Sequence, residues 1–173
     1  MVACALCGST AAGERFSGLD LCGVCRQADP APALRGQDIQ VDFSVALGWF
    51  GARSSCVHDD RELYVCCVPE LLPHKVLKFV VAEVEVGDPV FDDAVYVRTN
   101  APDRAALLLA HEGVQSAVLG ILAGARRNDM GFHHVTLEDG CVVVRTRHGL
   151  PHTEEQIRDL RLETAALLLH LTG

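Results

Sequence analysis

Beginning at Asp38, apolar and polar residues take turns along the chain. Ile39, Val41, Phe43, Val45 and Leu47 alternate with Gln40, Asp42, Ser44 and Ala46, the period of a strand with one buried face. The stretch GWFGARSS that follows reads as an interruption. ELYVCCV, residues 62–68, predicts a second strand, stopped by Pro69. PELLPHK carries two prolines and reads as irregular. Residues 76–86 form the most β-prone run, with Val80, Ala82, Val84 and Val86 on one face, and Gly87-Asp88-Pro89 ends it in a turn. Ala94–Arg98 predicts another strand.

The period then lengthens. NAPDRAALLLA places a proline and an aspartate where a first helical turn accepts them. In EGVQSAVLGILAG, residues Val114, Ala117, Val118, Ile121 and Leu122 make one apolar stripe. HHVTLEDGCVVVRT returns to period two around Asp139-Gly140, a pair suited to a type I′ turn. A two-residue loop there pairs Leu137 with Val142 and Val135 with Val144 on a buried face. It also pairs Glu138 with Cys141 and His134 with Arg145 on a wetter one. Thr153-Glu-Glu-Gln156 is a capping box. The helix it opens carries Ile157, Leu160, Thr164, Leu167 and Leu171 at near-heptad spacing. Strands and helices are grouped rather than strictly alternating. The expected class is α+β, an antiparallel or mixed sheet packed with about three helices over residues 38–173.

None of this pattern extends to the N-terminus. There CALCGSTAAGERFSGLDLCGVC holds two Cys-x-x-Cys pairs separated by fourteen residues. Each pair puts two thiolates on one tight turn, and two such turns together make a tetrahedral sulfur cage that suits Zn²⁺. A four-cysteine iron site uses the same ligand set. The candidate ligands are Cys4, Cys7, Cys22 and Cys25. Gly8 follows the first pair, where a knuckle needs unusual φ/ψ. Residues 14–16, a Ser-Gly turn and residues 19–21 read as a short hairpin returning Cys22 to Cys4 and Cys7. Four protein ligands close the coordination sphere, so the expected metal is structural, one Zn²⁺ per chain. So short a segment cannot bury much core and draws its folding energy from the ion. The expected organisation is a zinc module at 1–28, a Pro/Ala-rich semi-rigid spacer at 29–37 and the α+β domain at 38–173.

Composition narrows the function. Hydrophobic residues make up 49% of the chain and charged ones 22%, enough to fill a core. A net charge of −8 argues against a phosphate-binding surface, and Arg126-Arg127 with Arg145 and Arg147 are too sparse to form one. Within residues 1–28, Arg15 and Arg26 are balanced by Glu14 and Asp20. No leader or membrane-length apolar run is visible, which leads to an expected cytoplasmic location with reduced thiols.

The N-terminal segment resembles zinc-ribbon and treble-clef modules on the strength of its paired cysteines and hairpin. LCGVCRQA would lead into a helix in a treble clef and form a second knuckle in a ribbon. VEVGDPVFDDAVYVRTNAPDRAALLL, with the later VTLEDGCVVVRT hairpin and closing helix, resembles a group of uncharacterised bacterial domains carrying a Gly-Asp-Pro-x-Phe-Asp turn. The resemblance spans about Val84–Leu171 and implies no reaction. In that turn Gly87 and Pro89 bend the chain, Phe91 plugs the core, and Asp88 or Asp92 satisfies local N–H groups.

No convergent catalytic set is apparent. CVHDD, residues 56–60, gathers a thiol, an imidazole and two carboxylates, but neighbours in sequence do not all point at one centre. Cys66 and Cys67 alternate across a strand. HEGVQ lacks the second histidine of a metalloprotease helix. His133-His134 straddle a strand, and Asp92-Asp93 reads as turn chemistry. The expected function is a non-catalytic zinc-binding adaptor or assembly component with a protein partner. The alternatives are nucleic-acid binding through the zinc module, and an enzyme whose thiol or carboxylate site the fold would assemble around Cys56 and His58. A free strand edge or the apolar stripe of the last helix would also serve self-association.

Overall fold

The computed structural model describes residues 2–10, 13–46, 49–70, 84–123, 133–147 and 152–172. A two-stranded hairpin comes first, β1 (Gly13–Phe16) and β2 (Leu19–Cys22), followed by a short helix α1 (Ala31–Arg35). Next come β3 (Val41–Ala46), β4 (Trp49–Cys56), β5 (Val65–Pro69), the single turn α2 (Pro89–Asp92) and β6 (Val95–Thr99). Helices α3 (Pro102–Leu109) and α4 (Glu112–Ala123), strands β7 (His134–Glu138) and β8 (Cys141–Arg147), and the long helix α5 (Glu154–Thr172) complete the order. The class is α+β. The larger sheet runs β3-β4-β8-β7-β5-β6, and every pairing in it is antiparallel.

The β7–β8 hairpin has the expected register, with Val135 opposite Val144, Leu137 opposite Val142 and Glu138 opposite Cys141. Asp139 and Gly140 both take positive φ, 53° and 74°, as a type I′ turn requires. The Gly-Asp-Pro turn also behaves as read. The Asp88 carboxylate accepts from the N–H groups of Val90 and Phe91, capping α2, while Asp92 accepts from Val86 and Gly87. The two aspartates thereby satisfy four backbone donors and fix Phe91, fully buried, in the core. At α5, Thr153 and Gln156 exchange the reciprocal bonds of the capping box, 2.9 and 3.2 Å.

Four readings need correction. GWFGARSS is no interruption over its described residues: Gly48 lies outside them, and residues 49–55 are most of β4, paired with β3 on one side and β8 on the other. Its buried face is Phe50, Ala52 and Ser54, and the small residues hide the alternation. Gly51 belongs there because a Cβ would press on Ser44 Oγ at 2.7 Å. Second, the expected spacer holds α1, whose Leu34 is fully buried. Pro32 in its first turn is compatible with a helix start. Third, α5 is buried beyond its stripe: Leu162, Ala165, Ala166 and Leu168 are covered as well as Thr164 and Leu167. The helix lies between β4 and α4, so more than one side meets protein. Fourth, of the β-prone run 76–86 only Val84, Glu85 and Val86 are described, and they lie outside any strand. Residues 76–83, Leu47, most of PELLPHK and Arg126-Arg127 lie outside the described residues.

Helices α4 and α5 pack on each other and against the sheet. The tip of the N-terminal hairpin touches both helices, Ser17 meeting Glu163 and His170 on α5 and Gly18 lying against Gly113 on α4. A continuous apolar cluster runs from Cys4, Leu6 and Leu21 through Leu34 and Ile39 into the sheet–helix core. Among the described residues, no single helix is long and apolar enough to cross a membrane.

Candidate metal centre

Two backbone turns create the centre. In the first, Gly8 N–H donates to Cys4 C=O at 2.8 Å, and Gly8 takes φ +72°. In the second, Arg26 N–H donates to Cys22 C=O at 3.0 Å, and Cys25 N–H reaches Cys22 Sγ at 3.4 Å. The hairpin closes through Ser17 and Gly18, at φ 44° and 81°, and pairs Gly13 with Cys22. Ala5 N–H then donates to Asp20 C=O at 2.8 Å and straps the first knuckle to β2.

The four Sγ atoms lie within 4.8 Å of one another, and Cys7 and Cys22 are 3.7 Å apart. A tetrahedron with metal–sulfur bonds of about 2.3 Å has edges of about 3.8 Å. The four thiols thus form a set able to hold a metal ion. Cys4, Cys22 and Cys25 are buried and Cys7 is exposed. Burial works against charge on Cys4, but backbone N–H groups of Cys22, Cys7 and Leu6 outweigh it and hold the thiol down, at about 6. Cys25 is pushed up, first by burial and then by its hydrogen-bonded cysteine neighbours. The lowered Cys4 thiol favours the charged form a metal needs, and a cation would have to displace the proton that burial keeps on Cys25.

A second constellation, absent from the sequence reading, locks this module to the helices. Ser17 at the hairpin tip donates to the Glu163 carboxylate on α5, and its C=O lies 2.9 Å from His170 Nε2. Gly113 and Gly120 on α4 leave room for it. A side chain at Gly113 would overlap the His170 ring, and one at Gly120 the Glu163 carboxylate. Burial pushes Glu163 up to about 7; the Ser17 hydrogen bond lowers it, Asp159 raises it, and Arg26 lowers it. Arg26 stacks 4.1 Å over Phe16 and reaches Asp159 at 3.0 Å. Arg161 pairs with Asp29 at 3.4 Å. Ser17 and Glu163 are too far apart in sequence to suggest each other. The glycines seven residues apart on one helix face were the available sign of close approach.

The remaining candidates do not converge on a reactive centre. Cys56 Sγ faces His58 C=O, and His58 Nδ1 accepts from Asp60 N–H at 3.2 Å. Asp60 itself pairs with Arg104 at 2.6 Å. Cys66 and Cys67 are both buried, and burial pushes Cys67 up. His111 is exposed, its ring 5.2 Å from that of His170. His133 is buried, while burial and then Arg145 lower half-buried His134. Asp92 is occupied in its turn. No family model matches the chain, and no curated protein or solved structure matches it either.

Proposed function

We propose that this chain is a non-catalytic zinc protein whose ion is structural and whose knuckles dock another protein. The carrying observation is the closed set of four sulfurs at tetrahedral spacing. Four thiolates satisfy Zn²⁺ completely and leave no position for water or substrate. The centre is ribbon-like, because Cys25 sits in a turn and the next helix starts only at Ala31. Val2, two residues before the first knuckle, and Val24, within the second, are 65% and 77% exposed, and the docking reading sets these apolar side chains against the partner. The nucleic-acid alternative is weaker: Arg26 is engaged by Phe16 and Asp159, and the chain is acidic.

Metal analysis of the purified chain tests the first half, with one zinc per chain expected and none in Cys22→Ser. Cobalt in place of zinc should give the absorption of a tetrahedral thiolate site; iron in the native chain would overturn the assignment. Affinity capture with the full chain and with Val24→Glu tests the second half. Val24→Glu should keep its zinc and lose the partner; the same proteins retained by both would end the knuckle-docking reading.

A further inference from the structure

Of the eight cysteines in the chain, four make the metal centre and Cys66 and Cys67 are buried in β5. The other two, Cys56 and Cys141, lie far apart in sequence and directly opposite each other on β4 and β8. Their place in the ladder is definite. Val57 N–H donates to Gly140 C=O at 2.8 Å, the flanking bond of a non-hydrogen-bonded antiparallel pair. The flanking bond on the other side is replaced, because β4 bulges between Arg53 and Cys56 and Val142 N–H goes to Ser54 Oγ at 2.9 Å. In such a pair the Cα atoms stand about 4.5 Å apart and the side chains lean together. Disulfides span Cα separations of about 4.4–6.8 Å, so a bridge fits with little backbone movement.

Access and freedom are also present. Cys56 is exposed and Cys141 half-exposed. Their sulfurs make only weak contacts, Cys56 to His58 C=O at 3.5 Å and Cys141 to Asp139 C=O at 3.8 Å. Side-chain rotation releases both. The Cys56 sulfur lies against the β7–β8 turn, 2.6 Å from where a Cβ on Gly140 would stand. Only glycine leaves that space.

We propose that Cys56 and Cys141 form a reversible cross-strand thiol–disulfide pair that exchanges with low-molecular-weight disulfides. The more exposed Cys56 thiolate attacks the small disulfide, forming a mixed disulfide and releasing one small thiol. The Cys141 thiolate then attacks Cys56 sulfur, forming the Cys56–Cys141 bond and releasing the second. Two protein thiols lose two electrons and two protons, and the small disulfide becomes two thiols. The bridge would tie β4 to the β7–β8 turn and hold the 57–63 segment, already bound through Asn100 and Arg104, in one position.

The test uses the full metal-loaded chain at low concentration, treated with glutathione disulfide, alkylated, and mapped by peptide mass spectrometry. The expected product is a monomer with one Cys56–Cys141 cross-linked peptide, two small thiols released per chain, and full reversal by dithiothreitol. Cys141→Ser should trap the mixed adduct on Cys56, and Cys56→Ser should lose the cross-link entirely. Separate adducts or free thiols at both positions of the wild type would overturn the proposal, as would linkage of either to a metal-centre cysteine or to another chain. The wild-type map decides the matter even where a variant folds poorly.

Discussion

The N-terminal module and the helix-backed sheet are stabilised in different ways. The sheet domain buries Phe91, Leu109, Ile121, Leu162, Leu168 and Val144 almost completely, and apolar burial accounts for its order. In the module the buried set is mostly the cysteines themselves, with Leu6 and Leu21. A few apolar side chains cannot offset the ordering of so many backbone residues. On the proposed reading the module depends on a bound ion and on what it leans against, Glu163, His170 and Asp159, with the apolar cluster through Leu34 and Ile39. The lesson is that the module adds specific polar contacts at Ser17 and Arg26 to a thin apolar connection through Leu34 and Ile39, whereas the core beneath is mainly apolar.

Breaking the module gives the largest effect. Cys22→Ser should release the metal and unfold the hairpin, since apparent binding energies for such sites run to about 10–16 kcal/mol. The sheet domain should still melt cooperatively, at a lower temperature because α5 loses its cover. Hydrogen exchange resolved along the chain checks both statements; simultaneous loss of protection in β7 and β8 would show that the two parts fold as one. Next comes the core. Phe91→Ala should cost about 3–5 kcal/mol, read by denaturant unfolding, with the metal still bound.

The interface gives a smaller, pH-dependent effect. Glu163 is held at about 7 against an ordinary 4.5. A carboxyl raised on folding contributes stability at low pH that is lost as pH rises through the folded value. The wild type should therefore weaken between about pH 4.5 and 7 relative to Glu163→Gln, by at most about 3 kcal/mol in total, and level off above that. Parallel thermal scans of the two proteins measure the difference; identical slopes would remove Glu163 from the account. Smallest is the cap: Thr153→Ala should cost about 1 kcal/mol, as a drop in melting temperature and fraying of the first turn of α5.

Much of this was legible where local chemistry has a single solution. Asp139-Gly140 admits one tight turn, which set the β7–β8 register residue by residue. Asp88 and Asp92 had only nearby N–H groups to satisfy. Two Cys-x-x-Cys pairs with a hairpin between them meet at one centre. The unread parts depend on tertiary contact. Gly51 and Ser54 masked β4 because tertiary contacts suit them there, Gly51 the close approach of Ser44 and Ser54 the hydrogen bond it accepts from Val142 N–H, rather than intrinsic propensity. Leu34 is one apolar residue among prolines and alanines, too little for a period. Ser17, Glu163 and His170 lie on elements remote in sequence, and a carboxylate at position 163 reads as solvated until α4 is laid over it. Cys141 was visible beside Glu138, but its partner Cys56 was hidden with the rest of β4.

The sheet order also sets a timetable for synthesis. The strand that joins the two halves, β8, is the last strand in the sequence, yet it sits between β4 and β7. As the chain leaves the ribosome, the β3–β4 hairpin and the β5–β6 pair are complete while the groove between them waits for residues 134–147. Through that interval β4 presents an unpaired edge, a template for wrong partners. Arg53, on that strand and exposed, is a charge of the sort that discourages such pairing, and the strongly specified β7–β8 turn lets the missing piece arrive already folded as a hairpin.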